Sequence, residues 1–348
     1  METAEIAVIP GDGIGPEVIE EGLKVLEKLT EGEELKLNFT SFPQGADHYL
    51  STGETLSAET KADLKKFDAI YMGAVGDPRV EPGILEKGIL LNIRFTFSQY
   101  INLRPIKLRH ERYTPLKEKE PADIDIMVIR ENTEGLYVDS GGFVRKNSEQ
   151  EIAIQEMVNS YHGVSRVIDY AYNFAANKDK RLTLCDKSNV LGYAHDLWQR
   201  VFADKGEEFN QVSRDHILVD ALAMKLVRNP EELEVIVTCN MFGDIITDLG
   251  AELQGGMGMA VSANINPQGL SMFEPVHGSA PDIAGKGMAN PLAAILAGAV
   301  MMEKLGHPDK AEQIRQAVNR ALQEEKITAD MKGELSTSEL GDYICSVV

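Results

Sequence analysis

The chain has 348 residues, 43% of them hydrophobic, which is ample for a buried core and points to two domains or one large one. With 35 basic and 55 acidic residues the net charge is −20, which disfavours nucleic acid and anionic membrane as partners. The longest nearly apolar run, Leu292–Met302, is too short to span a bilayer and leads into Glu303 and Lys304, so it reads as a buried helix.

The first predicted strand, Glu5–Ile9, is followed by the glycines Gly11, Gly13 and Gly15 and an amphipathic run, Glu17–Leu29. In that run Val18, Gly22, Val25, Leu26 and Leu29 share one helical face. The glycine spacing is G-x-G-x-G. The dinucleotide fingerprint requires G-x-G-x-x-G, and Pro16 stands where its third glycine belongs. The stretch reads as a structural turn, with dinucleotide binding as the alternative. Further strands are predicted at Ala69–Gly73, Ile124–Arg130, Leu182–Asp186 and Val235–Cys239. Further helices are predicted at Val164–Ala176, Gly192–Phe202, Pro291–Leu305 and Lys310–Gln323, and the last helix starts near Ser336, where S-T-S-E reads as a capping box. Alternating strands and helices predict an α/β sheet covered on both faces. No repeat or flexible linker divides the chain. The N-terminus lacks a basic region ahead of an apolar core, so no signal peptide is expected. Three scattered cysteines, Cys185, Cys239 and Cys345, are odd in number and lack metal spacing, which favours a reducing compartment such as the cytoplasm.

Several stretches carry chemistry. In "NMFGDIITDLG", Asp244 and Asp248 are spaced i, i+4, which places both carboxylates on one helical face. The pair is either a solvated acidic face or a hard-oxygen site suited to Mg²⁺ or Mn²⁺ rather than Zn²⁺. "FEPVHGSAPDIAGKGMANP", residues 273–291, reads as a long loop whose small residues expose backbone N–H groups to a ligand. Within it His277 suits an adenine face or a phosphate. Asp282 suits ribose hydroxyls and would repel a 2′-phosphate. Arg94, Arg104 and Arg130 can each fork onto a carboxylate, although any one of them alone reads as an ion pair. Tyr137 is a candidate proton donor, and Lys187, directly after a strand, is a candidate for proton transfer.

Taken together, "GDGIGPEV", "NLRP", "VIRENTEGLY", "DKSNVL", "NMFGDIITDL" and "FEPVHGSAPDIAGKGMANP" resemble the β-decarboxylating dehydrogenases, from about residue 5 to about residue 325. That family includes isopropylmalate, isocitrate, homoisocitrate, tartrate and D-malate dehydrogenases. The resemblance implies a two-domain α/β fold of the isopropylmalate/isocitrate dehydrogenase type without a Rossmann fingerprint. The first domain would comprise residues 1–101 plus 255–348 and carry the NAD-binding loop. The second, residues 102–254, would carry dimerisation and the metal ligands, with the site in the cleft between the two. The resemblance further implies a homodimer in which Lys187 and Asp220 reach into the partner's site. It assigns proton transfer to Tyr137, Lys187 and Asp220, and Mg²⁺ or Mn²⁺ to Asp220, Asp244 and Asp248. The substrate's carboxylates fall to Arg94, Arg104 and Arg130. NAD falls to Asn189, His277, Gly278, Ser279, Ala280, Asp282, Ile283 and Asn290.

The same resemblance bears on specificity. NADP-using relatives carry basic or phenolic residues where this chain has Asp282 and Ile283, so NAD is expected. Isocitrate enzymes resemble one another in a serine six residues, and an asparagine four residues, ahead of the arginine matching Arg94. Those positions here are Gly88 and Leu90. Burying a third carboxylate against Leu90 and Leu91 would cost several kcal/mol, roughly, in lost solvation. A branched alkyl group would instead gain about 0.8 kcal/mol per buried methyl or methylene. The expected reaction is therefore NAD-dependent oxidative decarboxylation of 3-isopropylmalate to 4-methyl-2-oxopentanoate, CO₂ and NADH, a step of leucine biosynthesis. The alternatives are D-malate or tartrate as substrate, or a non-catalytic regulatory subunit. The insert "GDPRVEPGILEKG" departs from the commonest isopropylmalate pattern and leaves Glu86 as the acidic residue ahead of the leucines.

Overall fold

A computed structural model describes residues 2–348. The chain forms two compact units, one made of Met1–Gln99, Lys107–Pro121 and Ala251–Val348, the other of Tyr100–Ile106 and Ala122–Gly250. The stretch Lys107–Pro121 thus groups with the first unit, whereas a single middle segment was expected.

In the first unit the strands run in the order Leu35–Ser41, Glu2–Gly11, Ala69–Ala74, Ser271–Pro275, Val261–Ile265. Neighbours are parallel except the last pair, which is antiparallel. Ala69–Ala74 is buried along its whole length, as a central strand covered on both faces should be. Helix Gly15–Thr30 starts with Pro16 in its first turn, where the missing N–H costs nothing. It buries Val18, Gly22, Val25, Leu26 and Leu29, the face predicted from spacing. Helix Leu292–Lys304 is buried nearly all round, so the apolar run is core. The last helix, Thr337–Val347, opens on Ser336 with both hydrogen bonds of a capping box.

In the second unit the order is Ile101–Lys107, Asp125–Glu131, Val235–Thr238, Leu182–Asp186, Arg214–Leu218. The last four run parallel to one another. Helix Tyr161–Lys178 packs on this sheet through Val164, Val167, Ile168, Ala171 and Ala175. A separate hairpin pairs Gly141–Val144 with Ile152–Gln155, and every residue of both strands is exposed.

Seven of the described strands lie outside the predicted set: the hairpin strands Gly141–Val144 and Ile152–Gln155, and in the large sheet Leu35–Ser41, Ile101–Lys107, Arg214–Leu218, Val261–Ile265 and Ser271–Pro275. Polar residues such as Asn102, Arg104, Asn264 and Glu274 interrupt their apolar pattern, because buried hydrogen bonds rather than burial alone satisfy those positions. Among the described residues no helix is long and apolar enough to cross a membrane.

Candidate functional site

In the second unit, helix Asn240–Leu253 presents Asp244 and Asp248 one turn apart. Asp244 is the hub. Arg130 Nη1 donates to its Oδ1 at 2.7 Å, Tyr137 donates its hydroxyl to Oδ2 at 2.9 Å, and Arg104 Nη2 lies 3.4 Å from Oδ1. Arg104 Nη1 is 3.7 Å from Asp248 Oδ1. Burial and the like charge of Asp244 push the Asp248 carboxyl up, against the opposing pull of Arg104 and Arg130. A carboxylate so placed gains from a cation.

The two arginines are aimed by neighbours that the sequence reading did not single out. Arg130 is fully buried and sits inside strand Asp125–Glu131, one residue before its end. Its Nε and Nη2 donate to Asn240 Oδ1 at 3.1 and 2.6 Å, and its guanidinium lies 5.3 Å from the Tyr137 ring centroid. Arg104 donates to Asn102 Oδ1 at 2.8 Å and to Thr247 Oγ1 at 2.7 Å. Rigid forks of this kind leave little orientation to be lost when a carboxylate binds. Asn240 and Thr247 stand within the motif around Asp244. Their types, buried amide and hydroxyl on a helix, were the available signal.

Lys187 follows strand Leu182–Asp186, as predicted, and its ammonium lies 2.6 Å from Asp220 Oδ1. Asp220 stands in the first turn of helix Val219–Arg228, where Lys187 and the backbone N–H groups of Asp220 and Ala221 hold its carboxyl below the usual range. Among the described residues no three His, Cys, Asp or Glu side chains gather as a metal site, so Asp220 does not join Asp244 and Asp248 within one chain. Asn189 is exposed two residues beyond Lys187.

In the first unit, Leu90 and Leu91 are half-buried on a π-helical turn, Glu86–Leu91, that runs straight into helix Asn92–Thr96 carrying Arg94. Leu90 packs against the core formed by Leu56, Leu85, Ile89 and Ile93. A Cβ placed on Gly88 would lie 2.5 Å from Thr55 Oγ1 and 2.7 Å from Thr55 Cβ, so the position matching the isocitrate serine has no room for a side chain as it stands. Arg94 is buried, and its Nη2 donates to Glu274 Oε1 at 3.2 Å, an atom that also accepts from Asn264 and Ser262. Glu86 is exposed and accepts from Gly83 N at 3.1 Å.

The 273–291 stretch is shorter as a loop than expected. Phe273, Glu274 and Pro275 belong to strand Ser271–Pro275, because their alternation pairs with Val261–Ala263. The remaining loop is carried by the glycine turn. Ile14 N donates to Ser279 O at 2.8 Å, and the Glu17 carboxylate accepts from Gly285 N and from Gly287 N. His277 Nδ1 shares a hydrogen bond with Gly278 O at 3.1 Å, while its Nε2 is buried without a partner. Burial lowers the His277 imidazole below its ordinary range. Gly278 has open space where a side chain would stand, Gly285 and Gly287 are open with positive φ, and Asp282 is exposed. Ser279, Ala280 and Ile283 lie on the same loop. At its end Asn290 donates to Asp330 Oδ2 at 3.0 Å and caps the N–H of Leu292, so it holds the loop's exit. An orphaned buried nitrogen beside open glycines fits a dinucleotide's adenosine half, and hard oxygens at Asp244 and Asp248 fit a divalent cation.

Comparison with known proteins places the chain among dehydrogenases. The family described as isocitrate/isopropylmalate dehydrogenase matches residues 5–344. A 3-isopropylmalate dehydrogenase of Thermobifida fusca is 51% identical over 99% of this chain and 98% of its own length. Another, from Streptomyces coelicolor, is 48% identical over 99% and 98%. Among solved structures, isocitrate dehydrogenase from Methylococcus capsulatus superposes with a TM-score of 0.88 at 32% identity, covering 99% of both chains. A β-decarboxylating dehydrogenase from Thermococcus kodakarensis gives 0.79 at 34% identity, covering 99% of this chain and 95% of its own.

Proposed function

This chain belongs to the isocitrate/isopropylmalate dehydrogenase family, is a β-decarboxylating dehydrogenase, and we propose that it oxidises and decarboxylates 3-isopropylmalate with NAD and Mg²⁺ or Mn²⁺. The observation that carries the choice of substrate is the Gly88–Leu90–Leu91 turn. Thr55 occupies the space beside Gly88, and the two half-buried leucines keep apolar surface available that suits an alkyl substituent better than a third carboxylate. D-malate and tartrate lack an alkyl group to use those leucines.

Arg94, Arg104 and Arg130 hold the two carboxylates of the malate core. Lys187, with Asp220, takes the hydroxyl proton as the hydroxyl-bearing carbon is oxidised. Tyr137 returns a proton to the carbon that loses CO₂. When bound, a dinucleotide would supply a hydride acceptor, and a divalent cation, which Asp220, Asp244 and Asp248 would hold, would supply Lewis-acid stabilisation of negative charge. His277, Gly278, Ser279, Ala280, Asp282, Ile283 and Asn290, with Asn189, hold the dinucleotide. The Asp282 carboxylate favours NAD over NADP by repelling a 2′-phosphate.

A homodimer completes this reading, with Lys187 and Asp220 serving the partner's Asp244 and Asp248. Its support is the exposed apolar surface of the second unit, including Phe143, Ile152, Ile154, Tyr193, Met224 and Ile245. The test is NADH formation with Mg²⁺ on 3-isopropylmalate, D-malate, tartrate and isocitrate. A kcat/KM advantage of about tenfold or more for 3-isopropylmalate, about 1.4 kcal/mol, is expected. Preference for another substrate overturns the alkyl pocket, and no turnover on any overturns the enzymatic reading.

A further inference from the structure

One buried histidine has no part in the chemistry above. His195, the second residue of helix Ala194–Gly206, is fully buried. Its Nδ1 accepts the backbone N–H of Lys187 at 2.8 Å. The Lys187 carbonyl accepts from Val190 N at 3.0 Å and Leu191 N at 2.8 Å, and Leu191 O accepts from His195 N at 3.0 Å. Both polar backbone atoms of Lys187 are thus fixed by the segment that follows it.

The bond also sets the tautomer. With Nδ1 accepting, the ring hydrogen is on Nε2, which is buried and has no acceptor. The ring packs edge-on to Phe242, with centroids 5.4 Å apart. An apolar side chain would pack there without leaving a buried donor unsatisfied. What the imidazole adds over such a side chain is the contact to Lys187. The preceding residue is anchored independently, since Asp186 accepts from Ser188 N at 3.0 Å, Gln199 Nε2 at 3.1 Å and His216 Nε2 at 2.9 Å.

We propose that His195 is a positioning residue for Lys187: by accepting the Lys187 N–H it fixes the point from which the ammonium reaches Asp220. The proposal rests on the reading of Lys187 as the proton-transfer group. A side chain built on a displaced Cα would present its nitrogen in the wrong place, which lowers turnover more than substrate binding.

The test compares His195→Asn, whose amide oxygen falls near the place of Nδ1, with His195→Gln and His195→Leu, which offer no acceptor there. Lys187→Met is assayed beside them, with kcat and KM for 3-isopropylmalate and the thermal midpoint of each. The Gln and Leu variants should lose about tenfold or more in kcat with KM little changed, and Asn should recover most of it. Equal kcat for Asn and Gln overturns the proposal, because ring volume alone then explains the site. Wild-type kcat in Gln with Lys187→Met inactive also overturns it while leaving the role of Lys187 intact. An active Lys187→Met variant instead overturns the reading of Lys187 itself. If Leu fails to fold, the Asn–Gln comparison decides.

Discussion

Tyr137 donates its hydroxyl to Asp244 Oδ2 at 2.9 Å, so the candidate proton donor and a candidate cation ligand share one hydrogen bond. The same carboxylate accepts from Arg130, whose guanidinium also lies over the Tyr137 ring. Removing the hydroxyl alone should leave the carboxylate in place. We expect Tyr137→Phe to lower kcat by about 10²–10⁴-fold, the usual worth of a general acid, with Mn²⁺ affinity unchanged by titration calorimetry. A kcat within threefold or so of wild type would remove Tyr137 from the proton-transfer step.

Asp248 is raised by burial and by Asp244, and a divalent cation relieves that repulsion. Asp248→Asn should abolish turnover at limiting Mg²⁺ while circular dichroism and the thermal midpoint stay near wild type. Unchanged turnover at limiting Mg²⁺ would show that the cation is held elsewhere.

The half-buried Leu90 offers an apolar wall beside a glycine that Thr55 crowds. Leu90→Ser should raise KM for 3-isopropylmalate by about 5–30-fold, as a few lost methyl contacts allow, and raise it less for D-malate. Equal effects on both substrates would place the alkyl pocket away from Leu90.

Gly13 has φ +59°, and a Cβ there would lie 2.0 Å from Ser279 O. Gly13→Ala should therefore push the 276–291 loop away from the turn that carries it. KM for NAD should rise several-fold, and stability should fall by about 1–2 kcal/mol from the strained backbone and the clash. An unaltered KM for NAD would separate this turn from dinucleotide binding.

Arg94 and Glu274 form a buried pair, each less than a tenth exposed. Arg94→Met leaves the Glu274 charge buried without its cation, while Asn264 and Ser262 still donate to it. The loss should be about 3–5 kcal/mol, read from the urea midpoint, and larger than for Arg94→Met combined with Glu274→Gln. A double variant less stable than the single would contradict the account of an uncompensated charge.

Sequence by itself determined the elements whose apolar spacing is regular: the parallel strands Ala69–Ala74, Leu182–Asp186 and Val235–Thr238, helix Gly15–Thr30, and the capping box at Ser336. It also determined the residue types of the site, because i, i+4 aspartates and a glycine-rich loop restrict chemistry through local geometry alone. Tertiary structure decided what the spacing could not carry. Glu274 reaches Arg94 across 180 residues, Asp244 meets Arg130 across 114, and Glu17 holds Gly287 across 270. The strands holding Arg104 and Glu274 are polar at buried positions, so their pattern does not read as strand until the hydrogen-bond partners are in place. His195 is the clearest case. A histidine on a helix face is indistinguishable in sequence from ordinary packing, and only the backbone N–H at its Nδ1 gives it a role.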